Sequence, residues 1–333
     1  MRRALTVAAG VALSPAATAA AICTSAVESM ESDGVTNAGT GAQLTAAGHV
    51  ELDACLVACD ADHRYARSAA VAAVPGVRSA SRLAHVLFEQ AHGGSALSLG
   101  RVRPTMLCGE QARVWAARQC PQAVAAQPDT LISPARREQW NECRRALARV
   151  DPDAADWSDP AAVYRAERGD RSVVGDTVGA VCWLQSVDGH CSVAAAVSSG
   201  GLLFKAPGRV GEAAIPGAGA WCSSSATVLR AASVSGVGEG VMQTMLARAL
   251  CECDDDDDDA HAAALRSHQP SVSCADAGAI AITGDSTGDV SVRALFNTAS
   301  FGFGLTSSAD SRLRVQVARQ RERECAAVLI RLR

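Results

Sequence analysis

Apolar positions along this chain fall into short runs of two periods. Between residues 3 and 31 they recur at helical spacing through Ile22, Ala26, Val27 and Met30, with a break at Ser14-Pro15. A Gly-punctuated loop over 36–42 leads to strand patterns at Gln43-Leu44-Thr45 and, after a turn at Gly48, from Val50 to Val57. "RSAAVAAV" (67–74), closed by Pro75-Gly76, predicts another strand. "SASRLAHVLFEQA" (79–91) is an amphipathic helix with Ser79 or Ser81 as its cap, and "TMLCGEQARVWAARQ" (105–119) is a strand followed by a helix.

Residues 121–176 break the pattern. They are rich in Pro, Asp, Arg and Ala, with helical propensity but little apolar periodicity, which predicts a mobile, partly helical segment. At Thr177 the pattern returns abruptly. Val178-Gly179-Ala180-Val181-Cys182-Trp183 is a short apolar run, the mark of a strand buried on both faces. "TVGAVCWLQSV" and "HCSVAAAVSSGG" are two strands joined by a turn at Asp188-Gly189. Beyond them lie a helix over 237–253, an insert of six aspartates (254–259) read as a solvated loop, and strands at 277–283, 289–296 and 312–319. Hairpins outnumber βαβ alternation, so the fold class is α+β with antiparallel sheets.

Composition narrows the function. The chain has 333 residues, 48% hydrophobic and 20% charged, with a net charge of −4. This is a globular composition without the basic footprint of a nucleic-acid binder. No run of 18 apolar residues marks a membrane span. "MRRALTVAAGVALSPAATAAA" fits a secretory leader, and it equally fits an Ala-rich helix. Thirteen scattered cysteines include no C-x-x-C pair, so zinc is not expected and buried thiols in a reducing, intracellular compartment are. The acidic run is too irregular to form a calcium cage.

The chemistry concentrates at Asp176-Thr177. Severing that bond would leave Thr177 with a free α-amine beside its hydroxyl. Such an amine titrates at roughly 7.7–8.0, close to working pH. One residue would then supply both nucleophile and general base. The hydroxyl can start the reaction itself, by attacking the Asp176 carbonyl in an N-to-O acyl shift.

Six motifs in order, "TNAGTGAQLTAAGHVELDA" (36–54), "GRVRPTMLCGEQARVWA" (100–116), "DTVGAV" (176–181), "AAAVSSGG" (194–201), "KAPGRVGEAAIPGAGAW" (205–221) and "SVSGVGE" (233–239), carry a resemblance. They resemble the threonine aspartases, or taspases, within the type-2 asparaginase family of N-terminal-nucleophile (Ntn) hydrolases. "AAAVSSGG" followed by "K-x-PGRVG" looks closer to taspases than to plain asparaginases. The resemblance implies a four-layer α/β/β/α sandwich with two antiparallel sheets. It implies one proenzyme cut into an α part (1–176) and a β part (177–333), pairing as a homodimer of αβ units. No organic cofactor is implied; a structural sodium ion belongs to relatives, but most of the loop that would hold it is not found here, so no metal is expected, and localisation is cytoplasm or nucleus.

The resemblance also assigns roles. Thr177 would be the nucleophile, and Ser199 would hydrogen-bond it, with Ser198 structural. Ser235 and Gly236 would form the oxyanion hole. Arg209 would grip the substrate carboxylate, as a planar guanidinium can. Glu212 stands where asparaginases often carry Asp for the substrate amine. Asn37 belongs to the loop that positions the nucleophile. Asp176 before the cut implies an endopeptidase acting on proteins after Asp, since plain asparaginases usually place Gly there. The alternatives are an asparaginase or isoaspartyl aminopeptidase, or an inactive family member. Members normally begin with a strand and a Gly-rich loop, which do not precede the first helix here. A natural start further upstream is the favoured account, because loss of a central strand would bare two ladder edges.

Overall fold

The computed structural model describes the chain apart from residues 15, 63–64, 95–96, 126, 151–176, 226, 254–257, 268–275, 309–312, 320–325 and 333. The N-terminal stretch forms two helices, α1 (Arg2–Ala12) and α2 (Ala19–Glu31). Thr18 caps α2 by accepting from the amide of Ala21 at 3.1 Å. Strands β1 (Glu51–Asp60) and β2 (Arg67–Pro75) make a hairpin, and α3 (Ala80–His92) follows, capped by Ser79. Short β3 (Met106–Cys108) runs directly into α4 (Gly109–Gln119).

Residues 121–150 carry regular secondary structure despite their lack of apolar periodicity. Two 3-10 turns lead into α5 (Pro134–Val150). One aromatic residue does what apolar periodicity does elsewhere. Trp140 is buried and donates its indole N–H to the Thr45 carbonyl at 2.9 Å. Its ring packs near Phe204, and Arg137 and Arg144 lie over it.

After Thr177 come β4 (Val178–Gln185), β5 (Cys191–Ser199), β6 (Ala220–Ser224) and β7 (Val228–Gly236). Sequence pattern did not single out the last two. The helix expected over 237–253 is two helices, α6 (Gly238–Thr244) and α7 (Leu246–Glu252), broken at Met245 with φ +49°. The break lets the Ala247 and Arg248 amides donate to the carbonyls of Ala218 and Gly217. Helix α8 (Asp258–Ser267) starts inside the acidic insert, whose first four aspartates lie outside the described residues. Strands β8 (Ala277–Asp285), β9 (Val290–Phe296), β10 (Ser300–Leu305), β11 (Arg314–Arg319) and β12 (Ala326–Leu332) complete the chain.

The first sheet has the order β3-β2-β1-β5-β4, antiparallel except for the parallel β2–β3 pair. The second, β12-β9-β8-β7-β6, is antiparallel throughout, and β10–β11 is a separate ribbon. Helices α2, α3 and α4 cover one face of the first sheet. Its other face packs on the second sheet through Cys55, Val57, Val193, Val197, Ala231 and Val292. Helices α7 and α8 close the far side through Leu246, Leu250 and Leu265. The result is the four-layer α/β/β/α sandwich. Alanines dominate the facing strands, as in Ala194-Ala195-Ala196, and their small side chains let the two sheets and the helix layer approach closely. Gly179 is required by that approach, because a Cβ there would lie 2.1 Å from the Ser233 hydroxyl across the layer.

Candidate active site

Thr177 is the residue before β4. The β4–β5 register sets Val178 opposite Ser198 at the end of β5 and so brings the last residue of β5, Ser199, to the Thr177 side chain. The two hydroxyl oxygens are 3.0 Å apart, and Thr177 Oγ1 lies 3.1 Å from Glu212 Oε1. Thr177 has one hydroxyl proton, and a carboxylate can only accept. With that proton donated to Glu212, Ser199 is left to donate to Thr177. Ser199 Oγ itself accepts from the Gly201 amide at 3.0 Å. The chain of donors runs Gly201, Ser199, Thr177, Glu212, all in one sense, so each bond polarises the next.

Asn37 holds the turn that supplies Gly201. Its side-chain amide donates to the Gly201 carbonyl and its oxygen accepts from the Gln43 amide, both at 2.8 Å. The Gly200 amide donates to the Asn37 carbonyl. Gly201 has φ +70°, a conformation that favours glycine. Asn37 therefore acts on Thr177 through the 199–201 turn.

Arg209 lies beside Glu212. Its Nε and Nη2 donate to the two carboxylate oxygens of Glu239 at 2.8 and 2.7 Å. Burial by itself would raise the Glu239 carboxyl, and the paired guanidinium more than offsets this and holds it below its ordinary value. Nη1 points the other way, toward Gly201 and Gly211, where a Cβ would come within 3.0 and 2.6 Å of it. These glycines leave room at the remaining face of the guanidinium. Gly238 serves both ions, since a Cβ on it would sit 2.6 Å from Glu212 Oε2 and 2.7 Å from Arg209 Nη2.

Glu212 is 3% exposed. Burial pushes its carboxyl up to about 7, against the pull of Arg209 and of the Thr177 hydroxyl. Asp53, fully buried on β1, adds a negative charge nearby, and its two oxygens accept from the amides of Ala73 and Gly211 at 2.8 Å each. Lys205 is buried too and donates to the Glu51 carbonyl at 2.9 Å. Burial lowers its ammonium, with Asp53 and Glu51 opposing. The site is thus a dry patch of alternating charge at the end of β5, where a single charge exerts a strong influence.

The expected residues are not all brought into contact. Ser235 and Gly236 end β7, paired with Gly278 and Ala277, and both are half-buried. Ser233, two residues earlier and on the same face, donates to the Ala196 carbonyl at 3.1 Å and ties β7 to β5. Asp176 lies outside the described residues. Sequence reasoning did not single out Asp53, Lys205, Ser233, Gly238 or Glu239, although each lies in or beside a quoted motif. A fully buried Glu31 was also missed. It accepts from the hydroxyls of Ser79, Ser81 and Ser198, at 2.6, 2.7 and 2.6 Å, and from the Ser81 amide at 3.1 Å. It thereby joins the start of α3 to the strand that carries Ser199.

For metals, one group of possible ligands exists among the described residues: Asp60, Asp62 and His190. Asp62 and His190 are exposed, and Asp60 pairs with Arg67 at 2.9 Å. None of the three belongs to the Thr177 site. No helix among the described residues is long and apolar enough to cross a membrane.

The four-layer sandwich is the fold of the Ntn-hydrolase class, and within it a strand-end threonine is backed by a serine, a buried carboxylate and an arginine. The model of the asparaginase family matches residues 2–311, and the chain belongs to that type-2 asparaginase family. A plant-type L-asparaginase of Pyrobaculum calidifontis is 33% identical over 67% of this chain and 61% of its own length. An isoaspartyl peptidase of Salmonella typhimurium is 31% identical over 68% and 61%. An isoaspartyl peptidase/L-asparaginase of Xenopus laevis is 28% identical over 68% and 59%. The matches span about three fifths of these relatives. They support the asparaginase and isoaspartyl peptidase type, while the narrower resemblance to taspases stands on the motifs alone.

Proposed function

We propose that this chain is an autoprocessing threonine endopeptidase, which cuts itself between Asp176 and Thr177 and then cuts protein substrates after Asp. The observation that carries this reading is the Asp that directly precedes the threonine meeting Ser199 and Glu212. A bond following Asp is the first bond Thr177 has to break, so the site has to accept an aspartyl carbonyl.

In the mature enzyme the Thr177 amine takes the hydroxyl proton as Oγ1 attacks the aspartyl carbonyl carbon. The C–N bond then breaks and the proton passes to the leaving amine, which leaves an acyl ester on Thr177. Water, deprotonated by the same amine, releases the Asp-ended product and restores the hydroxyl. Arg209 Nη1 would hold the aspartyl side chain. Ser235 and the Gly236 amide are the proposed donors to the developing oxyanion. The organisation that goes with this reading is a homodimer of αβ units in an intracellular compartment.

A second reading is favoured by Glu212. A buried anion beside Arg209 suits a free α-amino acid, with the guanidinium on its carboxylate and Glu212 on its ammonium. The side-chain amide would then face Thr177, as the names of the asparaginase and isoaspartyl peptidase relatives imply for them.

One assay separates the two. The processed protein is offered a peptide containing an Asp-Gly or Asp-Thr step, L-asparagine, and a β-aspartyl dipeptide. Cleavage of the peptide after Asp, with no ammonia from asparagine, is the expected result. Turnover of asparagine or the β-aspartyl dipeptide with the peptide intact would replace the first reading by the second.

A further inference from the structure

An N-terminal threonine has an amine to serve as base only after the chain is cut. In the uncut chain that nitrogen is a peptide amide, which cannot accept a proton at neutral pH. The hydroxyl proton must go elsewhere during the first event. We infer that Glu212 is the proton acceptor for the Thr177 hydroxyl in self-cleavage, an assignment that rests on the autoprocessing reading above.

The geometry selects it. Glu212 Oε1 is 3.1 Å from Thr177 Oγ1, within reach for direct transfer. The other close partner, the Ser199 hydroxyl, is far too weak a base. Among the remaining described groups nearby, Asp53 has both oxygens committed to the Ala73 and Gly211 amides. Lys205 donates to the Glu51 carbonyl. Glu239 holds Arg209 with both of its oxygens.

Among the described residues, the titratable and charged groups facing Glu212 are Asp53 and Cys55 on β1, Lys205 and Arg209 on the loop after β5, and Glu239 on α6 behind Arg209. Arg209 stabilises the ionised carboxylate, while Asp53 and burial oppose it, and the balance places Glu212 at about 7. A base there is half ionised at neutral pH and strong enough to take the proton.

The step balances without any further reactant. Glu212 takes the Oγ1 proton as Oγ1 bonds to the Asp176 carbonyl carbon. The same proton passes from Glu212 to the Thr177 nitrogen as the C–N bond breaks, leaving an ester and a free amine. Water then hydrolyses the ester to the Asp176 carboxyl and the Thr177 hydroxyl. Glu212 returns to its starting state, and the new amine is in place for later turnovers.

The test follows the loss of full-length chain by intact mass, in purified protein at pH 5 to 9. Wild type is expected to split with a rate that rises to a plateau around a midpoint near 7. Glu212→Gln keeps the shape but not the basicity. It is expected to split about 10²- to 10⁴-fold more slowly, with no rise through that window. Glu212→Asp restores an ionisable group, and the rising limb is expected to return at reduced amplitude. Should the Gln variant fail to fold, the Asp variant decides, and a flat profile from it overturns the proposal. A folded Gln variant that splits at the wild-type rate with the same midpoint also overturns it and leaves the autoprocessing reading standing. A wild-type chain that never splits removes that reading and, with it, any need for the base.

Discussion

Replacing Glu212 by Gln also has a consequence for stability that needs no catalysis. Burial raises the folded-state carboxyl from its ordinary 4.5 to about 7. Below 4.5 the group is protonated in both the folded and unfolded chains and costs nothing. As pH rises from 4.5 the unfolded chain ionises while the folded chain holds its proton, so stability falls. The fall stops above 7, where both are ionised. At 1.36 kcal/mol per pKa unit, this carboxyl removes about 3 kcal/mol of stability between pH 4.5 and pH 8. Glutamine does not titrate and has no such slope. Both chains are best compared in a Thr177→Ala background, which keeps them in one piece. Losing the hydroxyl's donation moves the carboxyl further in the same direction. Denaturant unfolding at several pH values gives the stability difference, in which the titration of groups remote from Glu212 cancels. The Gln chain should gain on the Glu chain by about 3 kcal/mol from pH 4.5 to 8. A difference that stays constant across that range would show that the pocket does not hold the proton, and the electrostatic account of the site would fall.

Other substitutions probe the rest of the site. Glu31→Ala leaves Ser79, Ser81 and Ser198 without their shared acceptor, and a loss of about 3 kcal/mol is expected, read by thermal melting. Gly238→Ala would ordinarily favour a helix. Here its Cβ would meet Glu212 and Arg209, so a loss of about 1–3 kcal/mol together with a loss of turnover is expected, and a more stable chain would contradict the geometry. Arg209→Lys keeps the charge but not the planar fork, so KM for an aspartyl substrate should rise about 10-fold or more, with a smaller change in kcat.

Much of the architecture was legible because the apolar runs are short and sharply bounded. The hairpin of β4 and β5 could be read from an apolar run on each side of Asp188-Gly189, and α3 from its cap at Ser79. The second sheet was less legible. Strand β7 carries Arg230 and two serines, Ser233 and Ser235, among its apolar positions, so its pattern does not alternate cleanly, and β6 has only five residues. Helix α5 was hidden because one buried tryptophan, Trp140, anchors a helix otherwise dominated by polar residues. The break at Met245 carries no Gly or Pro to announce it, and is imposed by the carbonyls of Gly217 and Ala218. At the site, the Thr177–Ser199 pairing follows from strand register and was anticipated from the ordered motifs. The charge chain through Asp53, Arg209, Glu212 and Glu239 was legible only in part: Arg209 and Glu212 sit in one motif and were read from it, while Asp53 and Glu239 come from two other segments that only the fold places beside them.

The central claim is that Thr177 becomes a chain terminus by the protein's own action. Intact-mass measurement of purified protein, beside its Thr177→Ala variant, tests this most directly. Two fragments meeting between Asp176 and Thr177 are expected in the wild type, and one unbroken chain in the variant. A wild-type chain that stays whole on prolonged incubation, or a Thr177→Ala chain that splits at the same bond, would contradict it.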